Sequence, residues 1–388
     1  MTMRTGEQTG MVSSPGTLHS QVACEHSCEP NTRGRLRHEL RSAVVQSLND
    51  AKLPYCILGA ALDSPEFADS DMDFAVRPED FSAVPHLLAS AAATVGAMLV
   101  QAIQHETAAT YFAVAKQQGD AVGFLHPDCT TDYRRKGRLW IISAELLRGR
   151  RRVEDGYFRP APDIDFKYYL IKQVLKQRPS NTQWRNLLAL CEAADHPREA
   201  LSWCRPETAA QVEQALLHHD RDLFTSLVPH IGYELNGAAR GESLFARTSA
   251  FARDGARVIG RIAHPTGLFV QITGGSPEER ARLSRNLAQI LAPAFRRMSV
   301  AASANPARIL RALVESTLVV SPKQTLPGRA MGCGLDIPWK PELSPAKNLE
   351  CAIAAVLSHL SQRTMRRLKL QMHHQQAVDL NPVTNTTT

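Results

Sequence analysis

At 388 residues, with 44% hydrophobic and 21% charged residues, the chain is long enough for two or three domains, each with its own core, and its composition is ordinary for a soluble globular protein. Its net charge of +7 favours anionic partners such as nucleotides, phosphorylated sugars or nucleic acid without choosing among them. The eight cysteines follow neither a disulfide framework nor a zinc-ribbon spacing; the polar first thirty residues lack a secretory h-region; and the Ala-rich stretch Leu87 to Ile103 is too short and too weakly apolar for a membrane span. The expected location is the cytoplasm.

Residues 1–32 are rich in Thr, Ser, Gly, Pro and Gln without periodicity and are expected to be a disordered tail. Within them Cys24 and Cys28 flank His26, a spacing that invites a metal, but no second ligand pair lies nearby. From Arg35 the texture changes. Leu36, Leu40, Val44 and Leu48 recur every four residues and predict an amphipathic helix ending before Pro54. YCIL from Tyr55 reads as a strand and DMDFAV from Asp71 as another. Pro78 and Asp80 open a helix to about Thr94, and MLVQAIQH, ATYFAVAK and AVGFLH read as three more strands. This order predicts an α/β or α+β domain over 33–147, built on a small mixed sheet with flanking helices.

Beyond LWIIS and a basic run from Arg148 to Arg152, Pro160 and Pro162 mark a break. Phe166, Leu170 and Val174 then begin a helical region over 160–258, in which NGAARGES from Asn236 precedes a helix near Leu244 to Val258. GLFVQITGG reads as a buried strand and PEERARLSRNLAQIL as a helix beginning at Pro277. They fall in a third domain over 259–372, and 373–388 reads as a disordered tail. No internal repeat is visible.

The chemistry concentrates in DMDFAV. Side chains alternate along a strand, so Asp71 and Asp73 share one face about 6.5–7 Å apart. Two carboxylates so placed repel unless water or a cation screens them. Mg²⁺ takes oxygen ligands from a few carboxylates together with substrate phosphates, and two such ions serve phosphoryl chemistry. A third carboxylate from another strand is then required. Asp128 is the favoured candidate, because Val122, Phe124, His126 and Asp128 alternate on one face of a predicted strand; Asp120 and Asp132 compete with it.

In the stretch YCILGAALDSPEFADSDMDFAV the strand ends at Gly59-Ala60, ten residues follow, and Asp71-Met72-Asp73 comes next. That pattern resembles the nucleotidyltransferase superfamily that includes DNA polymerase β, aminoglycoside nucleotidyltransferases and small MNT-type proteins. Ala60 departs from it, standing where Ser or Gly is expected. Pro65-Glu66 in the loop, Ser70 before Asp71, and the basic turn DYRRKGR after Asp128 are similar to nucleotidyltransferase-like proteins encoded with bacterial polysaccharide genes. The resemblance covers about 35–145 and implies a nucleotidyltransferase fold. It further implies Asp71, Asp73 and Asp128 as catalytic and metal-binding residues for Mg²⁺ or Mn²⁺, and Gly59, Ala60, Ser70, Arg134 and Arg135 at the nucleotide.

The segment PTGLFVQITGGSPEERARL resembles the opening of a thymidylate-kinase-like P-loop domain. A working loop needs G-x-x-x-x-G-K-[ST]. Counted from Gly274, those last three positions hold Glu279, Arg280 and Ala281. An anionic Glu279 opposes phosphate and Ala281 cannot hold Mg²⁺, so this domain is expected to be a degenerate P-loop unit, inactive as a kinase. The expected function is transfer of a nucleoside monophosphate from an NTP to an unidentified acceptor, carbohydrate or lipid-linked, in surface polysaccharide biosynthesis. The alternative is an inactive nucleotidyltransferase/kinase-like regulator or scaffold of polysaccharide assembly. Nucleic acid is the weaker partner, since no RNA-binding motif or basic–aromatic platform appears.

Overall fold

A computed structural model of the chain describes residues 32–59, 71–106, 108–135, 138–177, 179–238, 265–295, 297–300, 317–321 and 334–379, with residues 255 and 314 singly. The CEHSC segment, the loop holding Ala60 and Ser70, and the helix expected near 244–258 lie outside this set, apart from residue 255.

Helix α1 (Thr32–Asp50) buries Leu36, Leu40, Val44 and Leu48, the stripe that the four-residue spacing predicts. Strand β1 (Tyr55–Ile57) runs antiparallel to β2 (Met72–Val76). A 3₁₀ turn over Pro78–Ala83 leads into α2 (Val84–Thr94), so the helix expected from Pro78 begins as 3₁₀. Strands β3 (Met98–Glu106), β4 (Ala109–Gln118), β5 (Ala121–Leu125) and β6 (Pro127–Thr130) follow. The single strand expected through Asp128 is interrupted at His126, and β5 and β6 both pair with β4. The first sheet is mixed, in the order β1-β2-β6-β4-β3, and only its β2–β6 pair is parallel.

The basic turn after Asp128 is a hairpin of β7 (Tyr133–Arg135) and β8 (Arg138–Ile141), followed by α3 (Ser143–Leu147) and a short ribbon, β9 (Arg151–Arg152) with β10 (Phe158–Arg159). Four helices come next: α4 (Pro162–Lys176), α5 (Asn181–Ala193), α6 (Pro206–Leu217) and α7 (Arg221–Ala238). Pro162 opens α4 at a position where its missing N–H costs nothing. The remainder holds β11 (Leu268–Thr273), α8 (Pro277–Leu291), β12 (Arg297–Val300), β13 (Thr317–Ser321), β14 (Gly334–Pro338) and α9 (Pro345–Asp379). Its four strands are all parallel, in the order β12-β13-β11-β14. Helix α9 continues to Asp379, a correction to the disordered tail expected from His373: HHQQAVD contains no Gly or Pro to stop a helix already formed. The architecture is α+β, and among the described residues no helix is long and apolar enough to cross a membrane.

The two faces of the first sheet are covered differently. On one, Met72, Phe74, Val76, Phe112, Val114 and Leu125 pack against α1 and α2. Burying each such side chain contributes about 1.5–3 kcal/mol. Gly123 lets α1 approach, since a Cβ there would overlap Leu36. The other face is divided. At the β1–β2 end, Cys56, Leu58 and Ala75 join a core with Phe166, Leu170 and Ile171 of α4. At the β3–β4–β5 end, Val100, Ala113, Val122 and Phe124 join a core with Leu287, Ile353 and Leu357 of the C-terminal unit. Helix α9 also covers edge strand β3, where Thr364 Oγ1 donates to the Val100 carbonyl at 2.9 Å. Between the two covers, the ends of β2 and β6 remain open.

Candidate functional site

The opening is a cavity of about 730 Å³ whose lining includes Asp71, Asp73 and Asp128. Asp73 and Asp128 are register partners on the parallel strands β2 and β6, so pleating turns both to the same face. The next residues inward, Phe74 and Cys129, are fully buried on the opposite face. Asp71 stands one residue before β2, and the Met72 N–H donates to the His126 carbonyl at 2.9 Å, fixing that strand end against β6. The competing carboxylates go elsewhere. Asp132 accepts from the Ser143 N–H at 2.9 Å at the start of α3. Asp120 sits in the turn between β4 and β5, at the far end of β5 from Asp128.

Each of the three carboxylates meets a basic side chain. Lys172 Nζ donates to Asp73 Oδ2, His105 Nε2 lies 2.8 Å from Asp128 Oδ1, and His126 Nδ1 lies 3.6 Å from Asp71 Oδ1. The third contact is not an ion pair at neutral pH, because burial, reinforced by Arg37, pushes the His126 imidazole down to about 4. Burial raises the Asp71 carboxyl above its ordinary value, and Asp73 and Asp128 raise it further by repulsion. Burial works against the Lys172 ammonium, but its pairing with the Asp73 carboxylate outweighs it and holds the group protonated.

At the end of β1 the Leu58 N–H donates to the Asp73 carbonyl at 2.9 Å, bringing Gly59 beside the aspartates. Gly59 has φ +71°, and a Cβ there would lie 2.7 Å from Tyr169 Cδ2. Its N–H donates to Asp165 Oδ1 at 2.9 Å and its carbonyl accepts from Asn186 Nδ2. The amide of Gly59, a residue the resemblance puts at the nucleotide, is therefore engaged by a carboxylate of α4. Asp165 is 1% exposed and pairs with Arg159 Nη2 at 2.6 Å. Ala60 and Ser70 lie outside the described residues. Arg134 lines the cavity, with Asp132 Oδ2 3.7 Å from its Nε. Arg135 ends β7 opposite Arg138.

The sequence reading missed the wall that α4 and α5 give the cavity. Tyr168, Tyr169, Lys172, Gln173 and Lys176 of α4 line the cavity, with Ser180, Thr182 and Gln183 at the start of α5. Ser180 and Gln183 form a capping box: Ser180 Oγ accepts from the Gln183 N–H and Gln183 Oε1 accepts from the Ser180 N–H. The available signal was the i, i+4, i+7 row Tyr169–Gln173–Lys176, a polar stripe on a helix whose other faces bury Phe166, Leu170 and Val174.

The donor set suits a hard divalent cation, since Mg²⁺ is usually held by one or two carboxylates completed by substrate phosphates. Asp73 and Asp128 supply two such carboxylates in register. Among the described residues, no group of three or more His, Cys, Asp or Glu converges as a metal-holding cluster.

The Gly-Gly turn after β11 is built otherwise. Gly274 and Gly275 have φ +72° and +65°. Ser276 caps α8 in a box with Glu279, whose Oε2 accepts from the Ser276 N–H at 2.8 Å. Arg280 Nη1 donates to the Gly275 carbonyl at 2.7 Å, and Trp339 covers Gly275, with ring atoms 2.8 Å from where a Cβ would sit.

Comparison of the chain with family models, with curated proteins and with solved structures finds no match.

Proposed function

We propose that the chain is a metal-dependent nucleotidyltransferase that moves a nucleoside monophosphate from an NTP to a hydroxyl or phosphate of an acceptor, releasing pyrophosphate. The observation that carries this reading is the register pairing of Asp73 with Asp128, with Asp71 adjacent, on the floor of a 730 Å³ cavity that also holds Lys172, Lys176 and Arg134. Asp71, Asp73 and Asp128 would supply the oxygen donors that hold Mg²⁺ or Mn²⁺. Such an ion, when bound, neutralises phosphate charge and lowers the pKa of an attacking hydroxyl.

The protein's own groups do the rest. Lys176 and Arg134 face the triphosphate as cations, with Arg134 offering a planar fork to phosphate oxygens. Lys172, held protonated, balances Asp73 at the cavity floor. Asp128, beside His105, accepts the proton of the incoming hydroxyl. The resemblance of Gly59 to Asp73 to polysaccharide-linked nucleotidyltransferases favours a carbohydrate or lipid-linked acceptor in the cytoplasm. It also favours a degenerate P-loop identity for the C-terminal unit, whose capped Gly-Gly turn fits a kinase that does not act.

The test is transfer of label from α-³²P-NTPs to cell-derived acceptors with Mg²⁺ or Mn²⁺. Wild type should transfer and Asp71→Ala/Asp73→Ala should not; equal transfer by both sinks the reading. The Lys172–Asp73 pair favours a second one, a regulator that binds nucleotide through the cations but does no chemistry. In calorimetry that protein would bind NTP equally with and without Mn²⁺.

A further inference from the structure

We infer that Gln173 reads the nucleobase of the bound nucleotide, a statement that rests on the nucleotide reading above and assigns the part of the ligand that α4 recognises. Gln173 is 1% exposed and borders the cavity, and neither its Oε1 nor its Nε2 has a hydrogen-bond partner among the described residues. Folded proteins avoid a buried amide unmatched at both ends, and an apolar side chain of the same length would fill the position without that cost. Gln183, another amide on this wall, is engaged in its capping box.

The two unmatched atoms define the ligand group. A phosphate presents only acceptors and would leave Oε1 unmatched. A cation would take Oε1 and leave Nε2 unmatched. Satisfying both requires a donor beside an acceptor in one plane, which is the edge of a nucleobase; a glutamine amide matches the N6 amine and N7 of adenine in this way. The neighbours agree with that orientation. Lys176 follows Gln173 by three positions, lining the same cavity and suited to the triphosphate. Tyr169, one turn earlier on the same face of α4, offers a ring to the base plane. A ribose diol carries the same pair of functions, so the experiment separates base from sugar.

The test is calorimetry on the full chain with Mn²⁺, using ATP, 7-deaza-ATP, purine riboside triphosphate, 2′,3′-dideoxy-ATP and tripolyphosphate on wild type and Gln173→Met. On wild type, removing N7 or the N6 amine should weaken binding about tenfold, and removing the ribose hydroxyls should not. Gln173→Met should bind ATP about tenfold more weakly, lose the discrimination among base analogues, and keep its affinity for tripolyphosphate. Its ligand-free form should melt no lower than wild type, which separates lost recognition from lost folding.

Unchanged ATP affinity and discrimination in the variant overturn the inference. So does a dideoxy penalty that the variant erases, which would assign Gln173 to the sugar, or wild-type binding of ATP and tripolyphosphate with equal affinity. A wild type that binds no nucleotide overturns this inference together with the reading beneath it. The analogue series on wild type stands even if Gln173→Met does not fold.

Discussion

Gly59 after β1 and Gly274-Gly275 after β11 are strand-end glycines of positive φ, and at both turns a carboxylate accepts a backbone N–H. At the second turn the carboxylate is local: Glu279, three residues on, accepts from Ser276 and closes the end of α8. At the first it is distant: Asp165, from α4, accepts from Gly59. A local carboxylate finishes a helix and leaves nothing to bind. A distant one brings a whole helix to the turn, and with it Lys172, Gln173 and Lys176 to the lining of a cavity. A glycine turn after a strand is therefore not a site by itself; its character depends on where its polar partners come from.

The largest effect that tests this contrast is on activity. Asp73→Ala removes a carboxylate from the floor of the first turn's cavity and should lower nucleotidyl transfer by more than about a hundredfold, the upper end for outer partners of a metal site. Glu279→Ala, at the second turn, should leave transfer at the wild-type rate. Comparable losses from both would mean that the second turn belongs to the active machinery, and the contrast would fail.

Next in size is stability. Asp165→Ala leaves Arg159, whose side chain is 13% exposed, without its carboxylate and leaves the Gly59 N–H without an acceptor. Breaking a buried pair in this way costs about 3–5 kcal/mol, and urea denaturation should read a loss of that order. A loss under about 1 kcal/mol would show that α4 does not depend on the first turn for its position.

How much of this was legible follows the same division between local and distant. Asp71, Asp73 and the helix stripe of α1 obey short-range periodicity, so alternation and four-residue spacing found them. Asp128 was legible as a partner for a similar reason. The break at His126 was not, because Val122, Phe124, His126 and Asp128 keep alternating through it while the backbone divides into two strands. Lys172 and Gln173 stand about a hundred positions beyond Asp73, and nothing local marks a lysine of an amphipathic helix as the partner of that aspartate. The divided face of the sheet was also hidden. Val100 and Val122 fall in predicted strands, but which element covers them is decided by the packing of α8 and α9.

Glycine substitutions sharpen the comparison at intermediate size. Gly59→Ala and Gly275→Ala each place a Cβ on a left-handed residue, which costs about 1–2 kcal/mol, and each drives that Cβ into a ring, Tyr169 in one case and Trp339 in the other. Both variants should therefore melt below wild type by similar amounts. They should differ in binding. Displacing Tyr169 disturbs the α4 wall, so Gly59→Ala should weaken NTP binding in calorimetry, whereas Gly275→Ala should not. Equal binding by the two would remove the functional difference between the turns while leaving their shared backbone strain.

The smallest effect isolates the local cap. Glu279→Ala removes the reciprocal half of a capping box at an exposed helix end, leaving Ser276 Oγ to accept from the residue-279 N–H. Losing a cap interaction costs about 1 kcal/mol, so the thermal midpoint should fall by a few degrees at most. The freed Ser276 N–H and the lost negative charge also make this helix end a better anion site. Phosphate titration of the variant monitored by melting tests whether the cap alone separates the second turn from a phosphate loop. Trp339 still covers Gly275 and Arg280 still holds both glycine carbonyls, so millimolar phosphate should not raise the midpoint beyond its effect on wild type. A specific rise would mean that Glu279 by itself closes the turn, and that the two turns differ by one side chain rather than by the origin of their partners.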